Sequence, residues 1–575
     1  MKGNIGPCII AVVFLFLVPS CLFADSATVQ NDHLALTGKI TNLRGNAVGE
    51  AGIEIFLNGK ILEAQKGLRS SDSGTFETDI TLDSKVLETG TLEIRVSKPS
   101  FKTVGPVEIQ HVLRDPNCGN ASGEYLAYSL IQLPRSITPA FWIAACVLLV
   151  VYIIIALELM HRTLASLFGA SIILFISYTA GTFSPDYFIL SFEDAISAID
   201  FNVIGLLMGM MMIVGVLKKT GVFQWLSYKS YELAGGNVFV LGLILMLVTA
   251  LCSALLDNVT TMLLMIPVTI EIALTLKINP ITLLMPEVFA SNVGGTATLI
   301  GDPPNIMIGS YANLTFMDFI VNIGPICVIG LLVSIAYFLF LYKKEYSKGG
   351  ADAETVQLTM ARLREEYRIT DVKLLFSSGV ILVITIVLFV LHGYLGMEPC
   401  IAAMTSAAIL LMISRVDIVE MLEHEIEWPT LIFFSMLFIV VAGAEETGLI
   451  QVIADWVNHM SQGSLVTAIL IILWVSAIAS AIIDNIPFTA TMLPIVAYLT
   501  EVIPGAQSGV LWWALALGAC LGGNGTMIGA SANVITVGMA ERAGYHISFM
   551  KYLRIAFVPM LITIVLASAW LLIAM

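Results

Sequence analysis

The sequence predicts an all-α polytopic membrane protein of two inverted repeats, with re-entrant helical hairpins and broken helices, behind a small exported β-sandwich. Three observations carry that expectation. Of the 575 residues, 57% are hydrophobic and only 12% charged, far from the composition of a soluble domain and rich in runs of membrane-spanning length. Two stretches, Phe289–Ser310 (FASNVGGTATLIGDPPNIMIGS) and Ala519–Ala540 (ACLGGNGTMIGASANVITVGMA), interrupt apolar runs with glycine, asparagine and, in the first, consecutive prolines. Pro303 and Pro304 lack the donors that a helix interior needs, and in hydrocarbon such backbone survives only inside protein or along a wet cavity. Third, the stretches align at one offset: Gly522-Gly523 falls on Gly294-Gly295 at a shift of 228 (522 − 294), and Asn533 falls on Asn305 at the same shift (533 − 305).

Residues 1–24 read as a secretory signal: Lys2, the apolar run Ile9–Val18, then small residues near Ala24; that run is short for a spanning helix. Residues 25–134 change character. Period-two alternation at Leu36–Ile40 and Gly52–Leu57, with further strand-like runs at Thr75–Leu82, Leu92–Val96 and Val107–Val112, predicts short strands joined by Gly/Asn/Asp turns. Such regular short strands make a small β-sandwich.

The membrane domain is expected as repeat 1 over residues 135–342, a cytoplasmic linker over 343–371, and repeat 2 over 372–575. Repeat 1 reads as spans near 138–160, 164–183 and 201–217, a helix pair at 238–275, a broken span at 281–312 and a last span at 318–342. Repeat 2 reads as 372–395, 398–414, 428–446, a pair at 465–503, a broken span at 509–540 and 551–575. Inside the linker, Glu354–Tyr367 reads as a short amphipathic helix. Lys219-Thr220-Gly221 matches Glu446-Thr447-Gly448, and Asp257-Asn258 matches Asp484-Asn485, both at a shift of 227 (447 − 220, 484 − 257). If each helix pair re-enters without crossing, each repeat crosses five times, and an odd number inverts the second. With residues 25–134 outside, Arg162, Lys218, Lys219, Lys229, Lys277, the linker, Arg415, Arg542, Lys551 and Arg554 all fall inside, which meets the positive-inside rule.

The helix pairs turn at Asp257-Asn258 and Asp484-Asn485, between apolar runs, so each carboxylate is placed at membrane depth. A charge there costs at least ~2.5–3.5 kcal/mol on insertion scales, so its presence in both repeats asks for a reason. Carboxylate, amide and freed carbonyl oxygens are hard ligands suited to Na⁺ or a proton, making these four residues Na⁺ candidates; Asp and Asn are also good helix N-caps. The broken stretches add Gly294, Gly295, Gly522 and Gly523 for close backbone approach or positive φ. They also add the hydroxyls of Thr296, Thr298, Thr526 and Ser531 and the amides of Asn305, Asn524 and Asn533. Helix N-termini that follow each break aim positive dipole ends at the same region. Glu287 and Asp302 occur only in repeat 1, where repeat 2 has Leu515 and Ala530; that asymmetry suits a substrate- or proton-specific role. Met208–Met212 read as packing or lipid-facing, and His392 and His424 as loop residues with no ligand role.

The N-terminal pattern GKITNLRGNAVGEAGIEIFLNGK…SDSGTFETDI resembles carboxypeptidase regulatory-like domains, which implies a binding or spacer module. DNVTTMLLMIPV with SNVGGTATLIGDPPNIMIGS, and later DNIPFTATMLPIV with LGGNGTMIGASANVITVGMAER, resemble the ion transporter superfamily. Within it they look most like the CitMHS-like clade of arsenite permeases, NhaD-type sodium/proton antiporters and the melanosomal P protein, over residues 138–575. The resemblance implies two pseudo-symmetric ion sites flanking one substrate site, a homodimer and elevator-like movement. Related dicarboxylate symporters carry Ser-Asn-Thr at the tips; Asp257 and Asp484 stand in place of that serine, which disfavours a dianion and favours cation or proton coupling.

The expectation is therefore a secondary active cation (Na⁺)/proton antiporter in the inner membrane of a bacterium, with its N-terminal domain extracytoplasmic. Its partners are a small ion and the lipid bilayer; Na⁺ or H⁺ is the coupling ion and no other cofactor is expected. Competing readings are an arsenite or organic anion permease and, from another class, a membrane sensor with an exported ligand-binding domain. The scattered cysteines, without CxxC spacing, indicate neither a disulfide framework nor a metal cluster. There is no basic patch for nucleic acid, and no nucleophile–base pair spaced for an enzyme. No thiol is placed by sequence at either candidate ion site.

Overall fold

The computed structural model describes residues 31–42, 47–49, 51–62, 67–71, 73–83, 91–109, 112–114, 124–348 and 361–574. The expected signal, and residues 354–360 of the expected linker helix, lie outside the described residues; residues 361–366 are helical. The chain divides into two compact units, residues 1–135 and 136–575.

Among the described residues, the first unit holds nine strands: β1 Asn31–Asn42, β2 Gly52–Leu57, β3 Lys60–Ile61, β4 Leu68–Arg69, β5 Thr75–Asp83, β6 Leu92–Ser97, β7 Val104–Glu108, β8 Val112–Arg114 and β9 Glu124–Leu133. They form two sheets, ordered β5-β1-β9-β8 and β3-β2-β6-β7, with β4 also paired to β2. Leu34, Leu36 and Ile80 from one sheet and Ile53, Ile55, Ile94 and Val96 from the other share one apolar core. Alternation drives this arrangement, because successive side chains point to opposite faces and only one face is apolar. The β2–β3 hairpin turns at Asn58-Gly59, both at positive φ (48° and 76°), the backbone that an Asn-Gly turn provides. The expected strand Val107–Val112 is instead two strands, β7 and β8. Strand β9 was not expected; it pairs parallel with β1, a partner that no local turn signal announces.

The second unit is helical. Its main helices are α1 Pro139–Ala156, α2 Arg162–Tyr178, α3 Phe201–Lys219, α4 Val222–Ala234, α5 Val238–Leu255, α6 Asn258–Thr275, α7 Ile281–Thr296, α8 Pro303–Tyr311 and α9 Gly324–Leu341. The second half continues with α10 Val372–Leu395, α11 Pro399–Ser414, α12 Trp428–Glu446, α13 Leu449–Ser461, α14 Leu465–Ile482, α15 Asn485–Val502, α16 Val510–Gly522, α17 Ser531–Arg542 and α18 Phe549–Ala574. Among the described residues, ten helices are long and apolar enough to cross a membrane. The offset that aligns Asp257 with Asp484 also lays α3, α4, α5 and α6 on α12, α13, α14 and α15, with both ends of every helix coinciding. The duplication is therefore a duplication of structure.

Two differences from expectation concern helices. Residues 446–464, read as a loop, contain α13, and its counterpart α4 was also missed. Each begins at a left-handed glycine, Gly221 (φ 77°) or Gly448 (φ 88°), where the chain turns from one helix into the next. This is why Thr-Gly recurs at the same place in both repeats. His392 lies not in a loop but in the last turn of α10, buried, where Nε2 accepts from the Phe316 amide at 3.2 Å and Nδ1 lies 3.2 Å from the Met397 carbonyl.

The broken helices occupy the middle of this unit. Every residue of α7 and of α16 is buried. Helix α7 packs against α5, α6 and α9, α16 packs against α14, α15 and α18, and the two touch each other. The helices that lead into the breaks are thus packed inside protein, one of the two settings in which unwound backbone is stable at membrane depth.

Candidate ion and substrate site

Helices α5 and α6 meet at Asp257, and α14 and α15 meet at Asp484, so each hairpin tip carries its carboxylate at the start of the returning helix. Both aspartates cap: Asp257 Oδ1 accepts from the Thr260 amide at 2.8 Å, and Asp484 Oδ1 accepts from the Ile486 amide at 3.0 Å. Capping consumes one oxygen of each and leaves the other for something else.

At Asp484 that other oxygen is taken. Oδ2 lies 3.2 Å from Arg162 Nη1 and accepts from Ser531 Oγ at 3.1 Å. Arg162 also donates to Ser531 Oγ at 2.7 Å and to Thr430 Oγ1 at 3.3 Å, and its guanidinium covers the Phe433 ring at 5.2 Å. Asp257, by contrast, has no ion pair among the described residues.

Both tips open on one cavity with about 630 Å³ of empty space, counting its open mouth. Its polar lining is Arg162, Asp257, Asn258, Asp302, Glu427, Thr430, Asn485 and Ser531. The two repeats meet here: Asn485 Nδ2 at the second tip donates to both oxygens of Asp302, after the first break, at 3.3 Å. With Asp484 included, four carboxylates face one guanidinium, and the site is acidic.

The other candidates from sequence hold the breaks in shape. Asn305 Nδ2 donates to the carbonyls of Thr296 and Thr298 at 3.0 and 2.8 Å; Asn533 Nδ2 donates to those of Gly523 and Thr526 at 2.8 and 2.9 Å. These amides satisfy carbonyls that unwinding leaves without partners. The Thr298 and Thr526 hydroxyls donate to Ala254 and Ala481 at 2.6 and 2.5 Å, tying each break to the hairpin beside it. Thr296 bonds back to the Asn292 carbonyl at 2.7 Å within its own helix.

None of the four paired glycines has a positive φ; close approach is their whole reason. A Cβ on Gly294 would stand 2.2 Å from the Ala250 carbonyl oxygen, and one on Gly522 would stand 2.4 Å from Ala477 Cα. Gly295 and Gly523 leave room for the returning chain at Gly301 and Gly529 in the same way.

Glu287 stands apart from the cavity. It is fully buried; Thr269 donates to Oε1 at 3.0 Å, and Oε2 has no partner among the described residues.

Sequence reasoning missed several members. Arg162 was read only as a topology marker, and Met210 and Met211, read as packing, line the cavity. Glu427 and Thr430 carried no motif. Asn292 was missed as well: Nδ2 donates to Asn524 Oδ1 at 3.0 Å and Asn533 Oδ1 at 2.9 Å, crossing between repeats. Cys520, the counterpart of Asn292 in repeat 2, mirrors it by donating to Asn305 Oδ1 at 3.5 Å. A thiol that sequence reasoning had not placed therefore lies behind the site. The repeat shift was the signal that could have found this pair.

Comparison with known proteins shows the family. Residues 152–518 match the family model described as CitMHS, citrate transporter. An uncharacterized transporter of Mycobacterium tuberculosis is 42% identical over 430 residues, covering 75% of this chain and 97% of its own length. The P protein of Homo sapiens is 34% identical over 517 residues, covering 77% of this chain and 61% of the P protein. The crystal structure of the YdaH transporter of Alcanivorax borkumensis aligns with a TM-score of 0.48 at 14% identity, over 72% of this chain and 98% of that one. A family match across well over half the chain, with a relative matched almost end to end, places the protein: it is a membrane transporter of the CitMHS family.

Proposed function

We propose that the chain is a secondary active transporter that exchanges a small cation, Na⁺ in the first instance, for protons. One observation carries the reading: the cavity between the repeats brings together Asp257, Asp302 and Glu427, while its single guanidinium, Arg162, is already engaged by Asp484. An acidic cavity at membrane depth attracts a cation and repels a multivalent anion. Oxygen ligands of this kind suit Na⁺ and also accept protons, so the two compete for one carboxylate, a minimal route to antiport. Asp257 and Asn258 form the first Na⁺ candidate; Asp484 and Asn485 form its repeat counterpart.

Two helical hairpins set against one cavity fit alternating access by movement of one bundle against another. In this reading the assembly is a homodimer in a bacterial inner membrane, residues 25–134 are outside and residues 343–371 inside. Impermeant thiol labelling of single cysteines in a cysteine-free background checks the sidedness; labelling of the linker from outside contradicts it.

A second reading, an organic anion permease, takes its support from the family description and from Arg162. Uptake by purified protein in liposomes separates the two, scanning Na⁺, Li⁺, arsenite and citrate under an imposed pH gradient. Cation movement coupled to protons supports antiport; citrate or arsenite accumulation without a cation requirement overturns it.

A further inference from the structure

The two hairpin tips are equivalent by sequence and by fold, yet their carboxylates do not meet the same groups. Asp257 and Asp484 stand at the same position of helices whose ends coincide at one repeat offset, and each spends one oxygen on its own helix cap. The free oxygen of Asp484 faces a guanidinium at 3.2 Å, whereas no lysine or arginine pairs with Asp257 among the described residues. Arg162 is not loosely placed. Ser531 and Thr430 accept two further hydrogen bonds from it and the Phe433 face lies under it. Its side chain is 23% exposed and that of Asp484 12%.

We propose that Arg162 is a tethered cation that fills the second of two pseudo-symmetric carboxylate positions, leaving Asp257 as the single exchangeable cation site of each chain. The inference rests on the cation reading above and deepens it to a stoichiometry. A guanidinium keeps its charge at any working pH, so Asp484 is neutralised without Na⁺ or a proton. In this arrangement one tip is free to exchange its ion while the other stays fixed. A site duplicated in sequence is thereby reduced to one in function.

Equilibrium binding of ²²Na⁺ to the purified full-length protein tests this, with wild type, Arg162→Gln, Arg162→Lys, Asp257→Asn and the Arg162→Gln/Asp257→Asn double variant. Thermal unfolding and size-exclusion chromatography check that each variant is folded. The proposal expects one Na⁺ per chain in wild type and in Arg162→Lys, two in Arg162→Gln, none in Asp257→Asn and one in the double variant. Two Na⁺ in wild type overturns it, because Arg162 then blocks nothing. One or none in folded Arg162→Gln also overturns it when wild type binds one. If wild type binds none and Arg162→Gln binds one, the masking of Asp484 stands and the reading of Asp257 as a cation site fails. No binding by any folded variant overturns both.

Discussion

Asp257 and Asp484 are a matched pair of residues with unmatched surroundings, and the difference is measurable as stability. Asparagine caps a helix as well as aspartate does, so Asp257→Asn is expected to change stability by no more than about 0.5 kcal/mol. Asp484→Asn leaves the Arg162 guanidinium without its carboxylate in a partly buried place. Its expected cost lies between the limits for exposed and buried pairs, about 1–3 kcal/mol. Thermal unfolding in detergent reads the contrast, and equal losses for the two variants contradict it. The tip carboxylates were legible because an aspartate between apolar runs, found twice, has few bland explanations. Arg162 was not legible: it lies 322 residues from Asp484, and nothing local marks a surface-side arginine as the partner of a distant hairpin.

At the scale of elements, the repeat shift made most of the helical order readable. Hairpins, breaks and long spans announced themselves through apolar length and through glycine and proline. What failed were the elements with weaker signals: α4 and α13, which are short and carry polar residues, and β9, whose parallel partner β1 is remote. The fastening role of Asn305, Asn533, Thr298 and Thr526 was also hidden, since a polar residue beside a break reads equally as ligand or clamp. Close packing at the breaks yields a sharp prediction. Gly294→Ala and Gly522→Ala each force a Cβ into neighbouring backbone, at 2.2 and 2.4 Å, and are expected to cost at least about 1–3 kcal/mol. Gly538→Ala, on α17 with nothing within 4 Å of its Cβ, is expected to be neutral or to stabilise by up to about 1 kcal/mol. Melting temperatures of the three variants check this, and a tolerated alanine at both Gly294 and Gly522 contradicts the close-approach account.

The whole molecule is two units with different physical tasks. The β unit closes its own apolar core with residues from both its sheets, and every residue lining the cavity between the repeats lies in the helical unit. A variant that starts near Ser136 behind a replacement signal is therefore expected to insert and retain basal transport. Normal insertion with lost transport makes the β unit part of the mechanism.

The most direct test of cation/proton exchange at Asp257 is the proton flux that an added Na⁺ pulse drives in liposomes containing the correctly inserted protein. A pH-sensitive dye inside the vesicles reports it, with wild type and Asp257→Asn compared at equal protein density and at several starting pH values. Wild type is expected to move protons in response to Na⁺ with a rate that depends on pH, and Asp257→Asn is expected to lose that response while remaining folded. A wild-type response preserved in Asp257→Asn, with the same pH dependence, reduces this carboxylate to a helix cap and contradicts the account.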